Sequence, residues 1–131
     1  MNRRILLAAA LGLVPAVALA SGGEKKEAGG VGQYVPVRAV AATIMRRDGT
    51  RGVITVECGL DVPNGRLRDK ANASQPRLRA AYAAFVQAYA AGMPASTVPD
   101  ADYLSRELQR VTDQTLGAKG AKFLLGTILI N

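Results

Sequence analysis

From Val53 to Val62 the chain reads V-I-T-V-E-C-G-L-D-V. Ile54, Val56, Cys58, Leu60 and Val62 share one parity, and Thr55, Glu57 and Asp61 share the other. A period of two predicts a strand with one face in a core and the other toward water. Tyr34 to Met45 predicts a preceding strand, with Pro36 near its start, where a missing backbone donor is tolerated. Its apolar positions change parity: Val35, Val37, Ala39 and Ala41 fall on one face, and Val40, Ala42 and Ile44 on the other. A bulge near Ala39 reconciles the two halves. Arg46-Arg47-Asp48-Gly49-Thr50-Arg51-Gly52 lies between the strands, and its Asp-Gly pair supplies the positive φ that a tight turn needs. The two strands are therefore expected to form an antiparallel hairpin.

After Pro63-Asn64-Gly65 the period lengthens to that of a helix. Helical signals run from Arg66 to Ala73 and, more strongly, from Pro76 to Ala91, with Ser74 as a cap for the second part. Leu78, Tyr82, Phe85 and Tyr89 recur at spacings of four, three and four, with Ala81, Ala84 and Ala88 beside them. This stripe predicts a helix face laid on the sheet, with Arg77, Arg79 and Gln87 outward. Gly92 and Met93-Pro94 end it. Asp100 or Asp102 opens another helix, where negative charge suits the helix dipole. Its apolar face is read as Leu104, Leu108, Val111 and Thr115, and Gly117 stops it.

Ala121 to Ile130 (A-K-F-L-L-G-T-I-L-I) predicts a third strand. Its nearly unbroken apolarity points to burial on both faces or a central place in the sheet. Removing Thr127 to Asn131 is then expected to unfold the domain. The fold class expected is α+β: an antiparallel hairpin and a C-terminal strand packed against two helices, in the order β-β-α-α-β.

The beginning of the chain changes the picture of where this domain works. Asn2-Arg3-Arg4 is basic, Ile5 to Val17 is apolar, and Ala18-Leu19-Ala20 is an A-x-A site, the three parts of a secretory signal. Residues 1–20 are therefore read as a signal peptide for export to the periplasm, with an uncleaved membrane anchor as the alternative. Residues 21–32 are glycine-rich and charged and read as a flexible linker, leaving 33–131 as a single α+β domain. The whole chain of 131 residues has 17 basic and 10 acidic groups, a formal charge of +7. Cleavage after Ala20 would leave 111 residues and +5. Such a balance suits contact with anionic surfaces or acidic proteins. No stacking strand of the kind that reads nucleic acid accompanies it.

Arg46, Arg47 and Arg51 cluster at the hairpin tip. They are the candidate partner-binding residues, read either as a docking patch for an acidic partner or headgroup or as charge that keeps the tip soluble. Catalytic candidates are lacking. The chain has no histidine, so the commonest general base and metal ligand is missing. A single cysteine, Cys58, permits neither an internal disulfide nor a thiolate metal site, and it reads as a small core residue. Gly29-Gly30-Val31-Gly32 precedes a strand instead of following one, so it is not a phosphate loop. No enzyme, cofactor or metal is expected.

Several segments together resemble the periplasmic domain of the flagellar basal-body-associated FliL family. Tyr34-Val35-Pro36-Val37 is similar to that family's aromatic-proline start of strand one. Ile54 through Val62 is similar to its alternating second strand. Leu104-Ser105-Arg106-Glu107-Leu108 through Leu116-Gly117 is similar to its last helix, and Leu125-Gly126-Thr127-Ile128-Leu129-Ile130-Asn131 to its closing strand. The resemblance implies a fold like that of stomatin-type (SPFH) domains, self-association, and contact with the stator units of the motor. It implies no catalytic residues. Family members keep a transmembrane helix and aromatic residues in the closing strand, and this chain departs from them at both points.

Overall fold

The computed structural model describes residues 32–131; the signal peptide read at 1–20 and nearly all of the 21–32 linker lie outside them. The order is β1 (Tyr34–Met45), β2 (Arg51–Asp61), α1 (Gly65–Ala73), α2 (Gln75–Ala91), α3 (Ala101–Leu116) and β3 (Lys122–Ile130). This is the expected α+β class with three helices where two were expected. Three antiparallel strands in the order β1-β2-β3 make one sheet, with β2 at its centre.

The alternation in β2 carries the core. Ile54, Val56, Leu60 and Val62 are wholly buried and Cys58 nearly so. In β1 the buried set runs Val35, Val37 and then Val40, Ala42, Ile44. Its parity switches at a register shift between Val37 and Val40, where the bulge was expected. Arg38 and Ala39 there face the single residue Glu57. A second shift sets Gly126 and Thr127 of β3 against the same Glu57, between the pairs Cys58–Leu125 and Val56–Ile128. Both edge strands thus carry one extra residue at the same level of the central strand, which adds bend and twist to the sheet.

Asn64 caps α1, its side-chain oxygen accepting from the Leu67 N–H at 2.9 Å. Ser74 separates α1 from α2, yet helical bonding continues through it: its N–H donates to Lys70 and its carbonyl accepts from Leu78, each at 2.9 Å. The Ser74 hydroxyl does not cap α2, contrary to expectation. It accepts instead from the Arg77 guanidinium. On α2 the buried line is Leu78, Tyr82, Val86 and Ala90, with Phe85 and Tyr89 half-buried beside it. On α3 it is Leu104, Leu108, Thr112 and Leu116, with Val111 and Thr115 flanking. Both core faces are therefore turned slightly from the expected stripes. Asp100 caps α3 through the Tyr103 N–H, and Gly117 ends it at φ 70°.

The helices form one layer over one sheet face. Gln75 Nε2 donates to the Pro36 carbonyl at 3.1 Å, fixing the start of α2 near the start of β1. Arg77 Nη2 reaches the Thr115 carbonyl at 2.7 Å, so α3 returns antiparallel to α2. Gln109 joins α3 to β3 twice: Nε2 donates to the Ala121 carbonyl and Oε1 accepts from the Phe123 N–H, both at 2.8 Å.

β3 corrects the expectation for the closing strand. It is an edge strand, and only Phe123 within it is fully buried. Its apolar run is left partly uncovered at the sheet edge: Ile130 shares the helix-side face with the buried Ile54 but is 44% exposed, and Leu129, on the opposite face, is 46% exposed.

Candidate functional site

The second sheet face is bare among the described residues. Adjacent strands bring Val53 (42% exposed) and Leu129 together there, with Met45 (51% exposed) toward the hairpin end and Tyr34 at the other. The Tyr34 ring lies over Gly59, on which a Cβ would overlap it, so glycine here makes room for the ring. Apolar side chains left in water along a sheet constitute a surface suited to another chain.

Around the hairpin tip, three segments distant in sequence converge. Ile44, Met45, Arg46, Arg47 and Asp48 come from the end of β1 and the turn. Met93, Ser96 and Thr97 come from the connector after α2, and Ile130 and Asn131 from the end of the chain. They enclose a groove of about 530 Å³. Asn131 is held by two backbone bonds with Val53, at 3.0 and 3.1 Å. A Cβ at Gly52 would press on the Asn131 carbonyl, so the glycine permits this close approach.

The three arginines read from the sequence prove unequal. Arg46 is part of the turn itself: its Nη1 donates to the Arg51 carbonyl at 2.5 Å and to Thr50 Oγ1 at 3.3 Å. Arg47 is exposed and, among the described residues, has no ion-pair or hydrogen-bond partner. Arg51 stands opposite Met45 in the ladder and does not line the groove. Asp48 accepts from the Thr50 N–H at 2.9 Å and from its hydroxyl at 2.6 Å. Chiefly the hydroxyl bond, then the backbone bond, holds its carboxyl below the usual range.

Sequence reasoning missed Met45, Met93, Ser96 and Ile130 as parts of a site. Met93-Pro94 registered only as a helix stop and Ile130 as core. Ser96 has φ 65°, a left-handed conformation unusual for a side chain other than glycine. No local pattern announces that angle.

The remaining chemistry is quiet. Burial pushes the Cys58 thiol up to about 11, so it stays protonated and unreactive near neutral pH. Among the described residues no cluster of three or more metal-ligating side chains occurs, and no helix is long and apolar enough to cross a membrane. No protein-family model matches the chain, and no curated protein matches it.

Proposed function

We propose that the chain is a non-enzymatic, FliL-like protein of the bacterial envelope, exported to the periplasm, which acts by holding other proteins. Flagellar stator units and further copies of itself are the partners proposed. The observation that carries this reading is the bare sheet face, where Met45, Val53 and Leu129 remain exposed. The element order and the hairpin-plus-closing-strand sheet support the likeness.

Sedimentation of the full chain, alongside a Val53→Glu/Leu129→Glu double variant, tests the association. Self-association that the double variant loses, together with recovery of stator subunits by cross-linking in motile cells, is the expected result. A monomer at high concentration that recovers no stator subunit would sink the reading. The intact mass of the cellular protein from soluble and membrane fractions tests export: a species beginning at Ser21 is expected, and one beginning at Met1 in the membrane would replace the cleaved form with an anchored one.

A second reading rests on Arg47, exposed beside an apolar groove and without a partner among the described residues: a soluble envelope module that recognises an anionic ligand or membrane surface through its basic residues.

A further inference from the structure

β3 has the composition of a central strand and the place of an edge strand. From Phe123 to Ile130 it carries no charge and a single hydroxyl. An apolar edge of that kind is a template for pairing with another strand, and folded proteins blunt such edges with charge, proline or cover. β1, at the opposite edge, has these devices. Pro36 lacks a donor, its carbonyl is taken by Gln75 Nε2, and Arg38 sits at the bulge.

On β3, among the described residues, the cover reaches only the start, where Gln109 extends from α3 and accepts from the Phe123 N–H. Beyond the bulge at Gly126 and Thr127, the two bonds exchanged by Val53 and Asn131 fix which backbone groups turn inward. Antiparallel pairs alternate, so Asn131 and Leu129 bond to β2, whereas the N–H and C=O groups of Ile128 and Ile130 point away from it. Among the described residues no other backbone group bonds to them. The side chains are incompletely covered on both faces: Ile130 and Leu129 are exposed on opposite sides, and Ile128 is half-buried.

We propose that the open edge of β3 pairs antiparallel with the same edge of a second copy, through the backbone groups of Ile128 and Ile130. The edge calls for a strand with free donors and acceptors on alternate residues and apolar side chains on both faces. β3 of another copy meets both requirements by identity. Two like strands paired antiparallel are related by a two-fold axis, so the contact closes at two copies. This direction also keeps the two Asn131 ends apart, where a parallel pairing would set them side by side. The inference goes beyond the sheet-face reading above: it uses backbone groups at the edge, not the side chains of Val53 and Met45 on the face.

Hydrogen exchange of the full chain reads the contact residue by residue. At about 0.5 mM the Ile128 and Ile130 amides should exchange at least about tenfold more slowly than at about 5 µM, while the Leu129 amide, bonded to β2, is protected at both. Sedimentation should show a dimer forming over the same range. Ile130→Pro removes a donor that β2 does not use and should give a folded monomer. Ile130→Val keeps that donor and should remain a dimer, and Val53→Glu should leave the edge protection unchanged.

A monomer at about 0.5 mM overturns the proposal, as does a folded Ile130→Pro that still forms the dimer. Protection that does not change with concentration overturns it too, because the edge would then be covered within one chain. A dimer with freely exchanging Ile128 and Ile130 amides, dissociated by Val53→Glu, would defeat the edge contact and leave the sheet-face association standing. A monomer that still recovers stator subunits would likewise defeat the edge contact alone.

Discussion

Tyr82 and Thr112 meet inside the helix layer, hydroxyl to hydroxyl, at 2.5 Å. The Thr112 hydroxyl donates to the Leu108 carbonyl at 2.7 Å, so the proton between the two side chains belongs to tyrosine. The Tyr82 ring also stands edge-on to Phe123, with centroids 5.4 Å apart, and so ties α2, α3 and β3 together.

The two halves of that bond should differ when cut. Tyr82→Phe leaves Thr112 with its carbonyl partner and should cost about 1 kcal/mol. Thr112→Val strands a buried phenol and should cost about 2 kcal/mol. The double variant should lose less than the two losses added together, as urea unfolding would measure. Strict additivity would mean that the hydroxyls act independently.

The paired bulges opposite Glu57 place Gly126 against backbone. A Cβ there would sit 3.1 Å from the Glu57 carbonyl oxygen and 3.2 Å from its Cβ. Gly126→Ala should therefore destabilise by about 1–2 kcal/mol, because the central strand cannot retreat from it. An unchanged denaturation midpoint would show that β3 moves freely at this level.

Alkaline pH should weaken the fold in a defined window. The Cys58 thiol is raised from 9.0 to about 11 and the Tyr82 phenol from 10.0 to about 12, both mainly by burial. Above pH 9 the unfolded thiol releases its proton while the folded one keeps it, so the unfolded state binds fewer protons and stability falls with rising pH. The slope should be on the order of 1 kcal/mol per pH unit, fading as pH passes the folded value near 11. In Cys58→Ala the decline should begin about one unit later, with Tyr82. Melting curves from pH 8 to 11 provide the check, and identical onsets in the two proteins would contradict the assignment.

Removal of Thr127 to Asn131 should lower the melting temperature yet leave a cooperative transition. The pairs lost are Val56–Ile128, Thr55–Leu129 and Ile54–Ile130, whose β3 members are half-buried or exposed, together with the two Val53–Asn131 backbone bonds, while Phe123 and Leu125 stay. The loss should be on the order of 3 kcal/mol. A broad, non-cooperative melt would place this end of β3 within the indispensable core.

Much of the architecture was legible because parity is a local signal. The alternation of β2, the hairpin turn at Gly49 and the phase change near Ala39 follow from neighbouring residues alone. The helix faces were legible to within part of a turn: Phe85 and Tyr89 outweigh Val86 and Ala90 to the eye, but the smaller pair fits beneath the close-packed helix. The place of β3 was not legible. An apolar run does not say whether its strand lies at the centre or the edge of a sheet, and here Ile130, on an edge strand, stays 44% exposed while its partner Ile54 is buried. Of the candidate site only the arginines could be found. That Arg46 is spent on the turn while Arg47 is not depends on side-chain geometry, and the floor is assembled from three remote segments.

The twelve residues of β1 also set a reach. Any chain preceding Gln33 joins the domain at the start of this strand, whereas Arg47 and the groove lie past its far end. At about 3.3 Å per residue the separation along the strand is roughly 35 Å. A support gripping the domain through that attachment could therefore hold one end close while presenting the other at arm's length.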